Sequence, residues 1–414
     1  MIHNPQMECM PREEMRALQT ERLIKTVKTC YEKVPFYKRK MDELGVKPED
    51  IKSIDDIKKL PFTTKTDLRD EYPFGLQAVP HSEVRRIHAS SGTTGKPVVD
   101  TYTENDIKMW AEGVARVMAV ADIGPGDTVQ VSYGYGLFTG GLGAHDGAAV
   151  RGAVQLPTSA GNTEKQIMLM QDFGSNALCC TPSYAMHIAE AIHASKVVSV
   201  NKMKLRAGFF GAEPWTEGMR KELEDKLHIK AYDIYGLTEI SGPGVSFECE
   251  DQKGMHINED HFIPEIIDPE TGDPLPPGEK GELTITVLKK EAFPMIRYRL
   301  GDVSSILEGE CPCGRTSPRI DRITGRVDDM LIIRGINVFP SAVEHALLKN
   351  SFLTSHFVIE VSRKGRLDDM LVRVELKPEA MSDSINGLMQ MQAVVERTLR
   401  DALNVAAHVE LCPP

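Results

Sequence analysis

Residues 90–97 read Ser90-Ser91-Gly92-Thr93-Thr94-Gly95-Lys96-Pro97. Glycines let a backbone approach a ligand closely, and four hydroxyls with the loop's own N–H groups suit phosphate oxygens. Lys96 adds a positive charge. This is not a Walker A loop, because the glycines are too close, Pro97 replaces the metal-binding hydroxyl and no helix follows. The flanking EVRRIHAS and VVDTYT read instead as two strands. The plain alternative is a flexible hairpin turn, which rarely needs four adjacent hydroxyls.

Three further segments carry candidate chemistry. In Tyr235-Gly236-Leu237-Thr238-Glu239, a hydroxyl followed by a carboxylate after an apolar strand could hold Mg²⁺ beside a phosphate. In Tyr298-Arg299-Leu300-Gly301-Asp302, an Asp at a strand end could accept from ribose hydroxyls. Gly325-Arg326-Val327-Asp328-Asp329-Met330 could form a hinge with a ligand contact. Taken singly, the first reads more simply as a solvated loop end and the second as an ordinary turn Asp, while the third fits a hinge or a charged linker.

Cys311 and Cys313 form a Cys-Pro-Cys-Gly knuckle, whose Pro and Gly shape a turn that points both sulfurs one way. Cys249 and His256 stand seven positions apart in the same loop-rich region. One nitrogen and three sulfurs would suit a closed tetrahedral structural Zn²⁺; the alternative is unligated thiols. Cys179 and Cys180 sit in an apolar run and read as core. His145 and His261 read as structural.

Elements must position these groups. Residues 12–44 carry helical periodicity. From Val84 onward, short β-rich runs alternate with helical ones, which predicts a layered α/β domain with largely parallel strands. From Gly281 the reading shifts to strands without intervening helices, GELTITVL and YRLGD. After Asp328 the order strand (LIIRGINVFP), helix, hairpin around 364–369, long amphipathic helix and last strand predicts a small α+β, ferredoxin-like lid. The expected domains are therefore 1–327 and 328–414.

A chain of 414 residues exceeds the size at which one core stops growing, in keeping with two domains. The net charge of −11 argues against nucleic acid as a partner. No run of about 18 apolar residues predicts a membrane span. The charged N-terminus lacks a signal-peptide core, so a cytoplasmic location is expected, with eight cysteines reduced or ligating metal. A homodimer is expected only because that symmetry is commonest.

In this order the four segments resemble the adenylate-forming superfamily of acyl-CoA synthetases, adenylation domains and luciferases. Within it the chain is similar to the phenylacetate–CoA ligase branch. The likeness runs through YEKVPFYKRK, LPFTTKTDLRDEYPFGL, YGYGLFTGGLGAH, GAEPWTEGMR, AYDIYGLTE and GRVDDMLIIRGINVFPSAVE. It implies ATP, Mg²⁺ and coenzyme A as cofactors and an aryl-acetic acid as substrate, joined through an acyl-adenylate. The phosphate loop falls on Ser90 to Lys96. The adenine segment falls on Ala212, Glu213 and Pro214, with Asp233 nearby and Tyr235 giving an aromatic face. Thr238 contacts phosphate and Glu239 binds Mg²⁺. Asp302 holds the ribose, Arg326 sits near ribose and phosphate, Asp328 is the hinge, and Gly335 admits the CoA thiol. The acid slot is lined by Tyr133, Tyr135, Phe138, Gly211, Ala212, Ile234, Gly236 and Pro243, with glycines beside aromatics making a flat apolar wall. The alternative is that these aromatics are ordinary core.

Forming the adenylate that the resemblance implies requires a carboxylate to attack the α-phosphate, anion against anion, so cationic and metal compensation is required and no side-chain nucleophile is. The resemblance also implies an adenylating Lys after the last strand. The sequence ends at Cys412-Pro413-Pro414 where that segment should begin, and Lys364 and Lys377 lie too early. A chain cut short is the expectation. The competing functional readings are transfer to a carrier protein and non-catalytic nucleotide or acyl-CoA binding.

Overall fold

The computed structural model describes residues 1–90, 97–195, 198–327, 331–333, 336–338, 340–364, 367–381, 385–403 and 405–413. They form two compact units. The first comprises Met1–Leu300 with Ser304–Arg322, and the second comprises Gly301–Val303 with the chain from Ile323 onward.

The first unit opens with helices Arg12–Lys33 and Pro35–Glu43. The sequence periodicity runs through both, but Pro35 has no N–H to continue a helix and forces Val34 into extended geometry. Pro35 therefore begins a new helix at its first position.

A nine-stranded sheet follows. Strands Val154–Leu156, Thr128–Val131, Ala177–Cys180, Ala207–Gly211 and Lys230–Tyr235 lie side by side and parallel. Helices Gly140–Val150, Thr163–Asp172, Pro182–Ala194 and Glu217–Leu227 connect them. The sheet continues antiparallel through Ser246–Glu248, Met255–Ile257, Arg319–Ile320 and Ile306–Leu307. Except at the edge strand Val154–Leu156, the parallel strands are buried on both faces, as their continuous apolar runs require. Cys179 and Phe209 join one core with Val129 and Val131, while their neighbours Cys180 and Phe210 join another with Ile188 and Leu223. The adjacent cysteines are thus core on opposite faces of one strand.

Two smaller elements complete this unit. Arg86–Ala89 and Val99–Tyr102 pair antiparallel, as predicted for the strands flanking the hydroxyl-rich loop. Phe262–Ile267 pairs antiparallel with Gly281–Val287.

In the second unit, Leu353–Lys364 and Leu367–Leu376 form the expected hairpin, and His408–Cys412 adds in parallel to the latter. Helices Pro340–Leu347 and Ile385–Leu403 pack on this sheet through Val343, Leu347, Val395 and Leu399 against Val372 and Val374. The segment LIIRGINVFP, expected as one strand, is instead a hairpin of Leu331–Ile333 with Ile336–Val338.

Candidate active site

In a parallel sheet, ligands bind outside the carboxyl ends of the strands, where loops and strand ends converge. Three of the predicted segments leave that edge of the first unit. Strand Thr128–Val131 runs into Tyr133–Phe138, and Ala207–Gly211 into Ala212, Glu213 and Pro214. Strand Lys230–Tyr235 ends on Tyr235 and runs into Gly236, Thr238 and Glu239.

The antiparallel hairpin docks on the same edge. The Ala89 N–H donates to the Leu137 carbonyl at 2.9 Å, and the His88 ring reaches the same oxygen at 2.9 Å. At the hairpin's neck, the Ser90 N–H donates to Val98 O at 2.9 Å, and the Val98 N–H donates to Ser90 Oγ at 3.0 Å. Ser90 therefore closes the base of the loop. Ser91, Gly92, Thr93, Thr94, Gly95 and Lys96 lie outside the described residues.

Thr238 and Glu239 are each 4% exposed and occupy a single turn, Thr238–Ile240. The Tyr102 hydroxyl donates to the Thr238 carbonyl at 3.2 Å, and Tyr298 Oη lies 3.5 Å from Glu239 Oε1. The loop after Tyr235 is pinned by backbone-to-backbone packing. A Cβ at Gly236 would lie 2.5 Å from Gly242 Cα, and one at Gly211 would lie 2.2 Å from the Ile234 carbonyl oxygen. Ala212 holds φ +71° immediately after its strand, a left-handed geometry that costs an L-residue roughly 1–2 kcal/mol. Such strain concentrates at functional sites.

The predicted acid slot divides. Tyr133 and Ile234 belong to the buried core cluster, and Trp110 donates to the Pro243 carbonyl at 3.0 Å. Phe138 is 41% exposed, and Tyr135 is half-buried with its ring edge-on to His145 at 6.1 Å. Its hydroxyl stands 3.4 Å from His145 Nδ1. Gly211 and Gly236 are explained by close backbone contact rather than by an open wall. Of the expected slot residues, Tyr133 and Ile234 are thus buried core, while Tyr135 and Phe138 are partly exposed.

Asp233 is buried, and its backbone N–H donates to Glu248 Oε2 at 2.8 Å. Burial and the nearby Glu248 carboxylate push its pKa up to about 7, against the pull of Arg322. It lines a cavity of about 210 Å³ with Met255, Leu307 and Arg322. Glu213 accepts from the Ser183 N–H at 2.6 Å, tying the segment after one strand to the helix after its neighbour. In the second unit, Arg326 Nη1 donates to Asp302 Oδ1 at 2.7 Å, and the two residues face each other across paired strands. Asp328 and Gly335 lie outside the described residues.

The antiparallel extension of the large sheet assembles the predicted sulfur and nitrogen donors. Cys249 follows strand Ser246–Glu248, His256 lies on Met255–Ile257, and Cys311 and Cys313 occupy the loop before Arg319–Ile320. The donor atoms of all four lie within 4.8 Å of one another. Cys249 Sγ stands 3.5 Å from Cys311 Sγ, and Cys313 Sγ stands 3.3 Å from His256 Nε2. The hydrogen bond from Cys249, with His256 alongside, pulls the Cys313 thiol well below the usual thiol range, while Cys249 is pushed up. His256 Nδ1 donates to the Ser317 carbonyl at 3.2 Å, which leaves Nε2 facing the sulfurs. His261, by contrast, is buried between Glu112 and Asp260 in an ion-pair network with Arg116.

Around the Thr238 turn the structure gathers residues that the sequence did not single out: Asp100, Tyr102, Trp110 and Lys290. Tyr102 stacks on Trp110 with centroids 5.2 Å apart, and Lys290 lies buried behind it.

The AMP-binding enzyme family profile matches residues 13–287, and the AMP-binding enzyme C-terminal domain profile matches 335–414. The phenylacetate-coenzyme A ligase of Escherichia coli is 53% identical over 371 residues, covering 89% of this chain and 84% of that protein. The phenylacetate-coenzyme A ligase of Thermus thermophilus is 48% identical over 427 residues, covering 100% and 96%. Among solved structures, 2-hydroxyisobutyryl-CoA ligase in complex with 2-HIB-AMP superposes with a TM-score of 0.92 at 32% identity, over 99% of this chain and 88% of that one. With both profiles matched in order and near-full-length relatives at about half identity, the chain belongs to the AMP-binding enzyme family, in its phenylacetate–coenzyme A ligase branch.

Proposed function

We propose that this protein is an ATP-dependent acid–thiol ligase that activates an aryl-acetic acid of the phenylacetate type, first as the acyl-adenylate and then as the CoA thioester. The observation that carries the reading is the convergence of Thr238, Glu239, Ala212 and the neck of the Ser90 loop at one carboxyl edge, in a chain about half identical to phenylacetate-coenzyme A ligases.

In the first step a carboxylate oxygen of the acid attacks the α-phosphorus of ATP and pyrophosphate leaves with the bond's electrons. The chain's residues must hold two anions together. We assign phosphate contacts to residues 90–96 and Thr238, the base to Ala212, Glu213 and Pro214 beside the cavity at Asp233, and the ribose to Asp302 with Arg326. Tyr235 offers its ring to the nucleotide. Glu239, a buried carboxylate beside the Tyr298 phenol, fits a hard divalent cation, which when bound would offset phosphate charge. Tyr135 and Phe138 receive the aryl ring at the rim.

In the second step the CoA sulfur attacks the acyl carbon, AMP departs with the C–O electron pair, and the thiol proton passes to solvent or a base. We assign residues 328–414 the role of a lid serving this step, with Asp328 as hinge and Gly335 beside the thiol. Cys249, His256, Cys311 and Cys313 fit a structural Zn²⁺, since tetrahedral bonds of about 2.0–2.3 Å place donors about 3.5 Å apart. A zinc there would cross-link the sheet extension. The eight unbridged thiols favour a cytoplasmic enzyme, and a homodimer stands as a symmetry-based proposal.

Phenylacetate-dependent exchange of labelled pyrophosphate into ATP tests the first step. Exchange should appear with phenylacetate and fall at least about tenfold in Glu239→Gln, from lost transition-state charge stabilisation. Exchange with no aryl acid of a phenylacetate series, together with no thioester from preformed phenylacetyl-adenylate and CoA, would refute the ligase reading.

A further inference from the structure

One polar chain in the first unit is assigned no role by the reaction. Lys290 and Asp100 are in contact, with both side chains fully buried. Two such charges are costly to desolvate, and breaking such a pair leaves one charge uncompensated. The Lys290 ammonium also lies 4.0 Å from the centroid of the Tyr102 ring. A cation over a phenol face draws electron density from the ring and strengthens its O–H as a donor. That O–H donates to the Thr238 carbonyl at 3.2 Å.

The placement of Lys290 is itself enforced. Asp106, at the start of helix Glu104–Ala119, accepts the Glu291 N–H at 2.7 Å and the Ala292 N–H at 2.9 Å. Tyr102 ends the strand that returns from the hydroxyl-rich loop, and its ring is clamped by Trp110 and, edge-on, by His88. Thr238 directly precedes Glu239, whose carboxylate is faced by Tyr298 from another strand. A plain core position would be filled by an apolar side chain at lower desolvation cost, yet here a charge pair and a phenol end on the loop that carries the phosphate and metal contacts.

Resting on the ligase reading, we propose that Lys290, Asp100 and Tyr102 are positioning residues for adenylate formation. Tyr102 fixes the Thr238 carbonyl, and Lys290, held by Asp100, strengthens that bond. The unit couples the hairpin of the phosphate loop to the Thr238–Glu239 turn, so that both sides of the triphosphate site keep one geometry. It has no task once pyrophosphate has left.

The test compares the two half-reactions. Tyr102→Phe removes only the hydroxyl. Pyrophosphate exchange should fall about tenfold, the value of one hydrogen bond worth about 1.4 kcal/mol. The Mg²⁺ concentration for half-maximal exchange should rise, while thioester formation from preformed phenylacetyl-adenylate and CoA stays within about twofold of wild type. Tyr37→Phe, which cuts an equally buried hydroxyl away from this loop, serves as the structural control. Because Lys290→Met alone strands Asp100, the paired Asp100→Asn/Lys290→Met variant supplies a second route. It should show the same selective loss at near wild-type Tm. Equal losses in both half-reactions that track Tm, or unchanged exchange in Tyr102→Phe and in the paired variant, would overturn the proposal while leaving the ligase reading intact. Failure of both half-reactions in the wild-type protein would overturn the ligase reading and this one with it.

Discussion

Cys313 shows what a single residue's neighbours decide. A cysteine Sγ 3.3 Å from an imidazole nitrogen, with two further thiols within 4.8 Å, is placed to ligate metal. Purified protein should therefore carry one zinc per chain by elemental analysis. Cys313→Ser should lose it and lower Tm by several degrees, since metal binding contributes directly to folding. Metal-free wild-type protein of undiminished Tm would contradict the assignment. The cluster was legible in the sequence because Cys-Pro-Cys-Gly is a local signal, and His256 and Cys249 lie close by along the chain. Lys290 was not legible. In KKEAF a Lys reads as solvated; the two following N–H groups, donating to Asp106, and the pairing with Asp100 hold it inside. Asp100 and Tyr102 share that difficulty, because their roles depend on partners almost two hundred and over one hundred positions away.

At the level of elements, helix Gly140–Val150 shows how glycine can mislead. The sequence places several glycines beside aromatics and invites an open slot. In the structure the helix presses against Glu104–Ala119 with glycine at the contact. A Cβ at Gly143 would lie 2.7 Å from the Trp110 ring, and one at Gly147 would lie 2.5 Å from Val114 Cγ1 and 3.1 Å from its carbonyl carbon. Gly147→Ala thus sets two effects against each other. Helix propensity favours Ala by about 1 kcal/mol. Overpacking against backbone, which cannot rotate away, costs about 1–3 kcal/mol. The clash should win, so urea denaturation should show a net loss of stability; a gain would mean that the two helices separate readily. The strand and helix alternation was readable from continuous apolar runs between turn residues. The two boundaries that differ, at Val34–Pro35 and within 331–338, are set by proline chemistry and by chain pairing respectively. Pairing is a non-local choice to which periodicity is blind.

For the molecule as a whole, the parallel sheet fixes where chemistry can occur. Five strands point their carboxyl ends the same way, so segments far apart in sequence, 89–90, 133–138, 211–214 and 235–239, gather at one edge. None of these segments was decisive alone, whereas their order along the chain was. The sequence could not separate buried Tyr133 and Ile234 from partly exposed Tyr135 and Phe138, because burial of an aromatic depends on what packs over it. The central claim is that the acid's own oxygen attacks the α-phosphorus. Phenylacetate labelled with oxygen-18 in its carboxylate, turned over with ATP and CoA, tests it most directly. Mass spectrometry should find one labelled oxygen in AMP and none in pyrophosphate. Unlabelled AMP, or label in inorganic phosphate, would mean that the acid is activated by another route and would contradict the account.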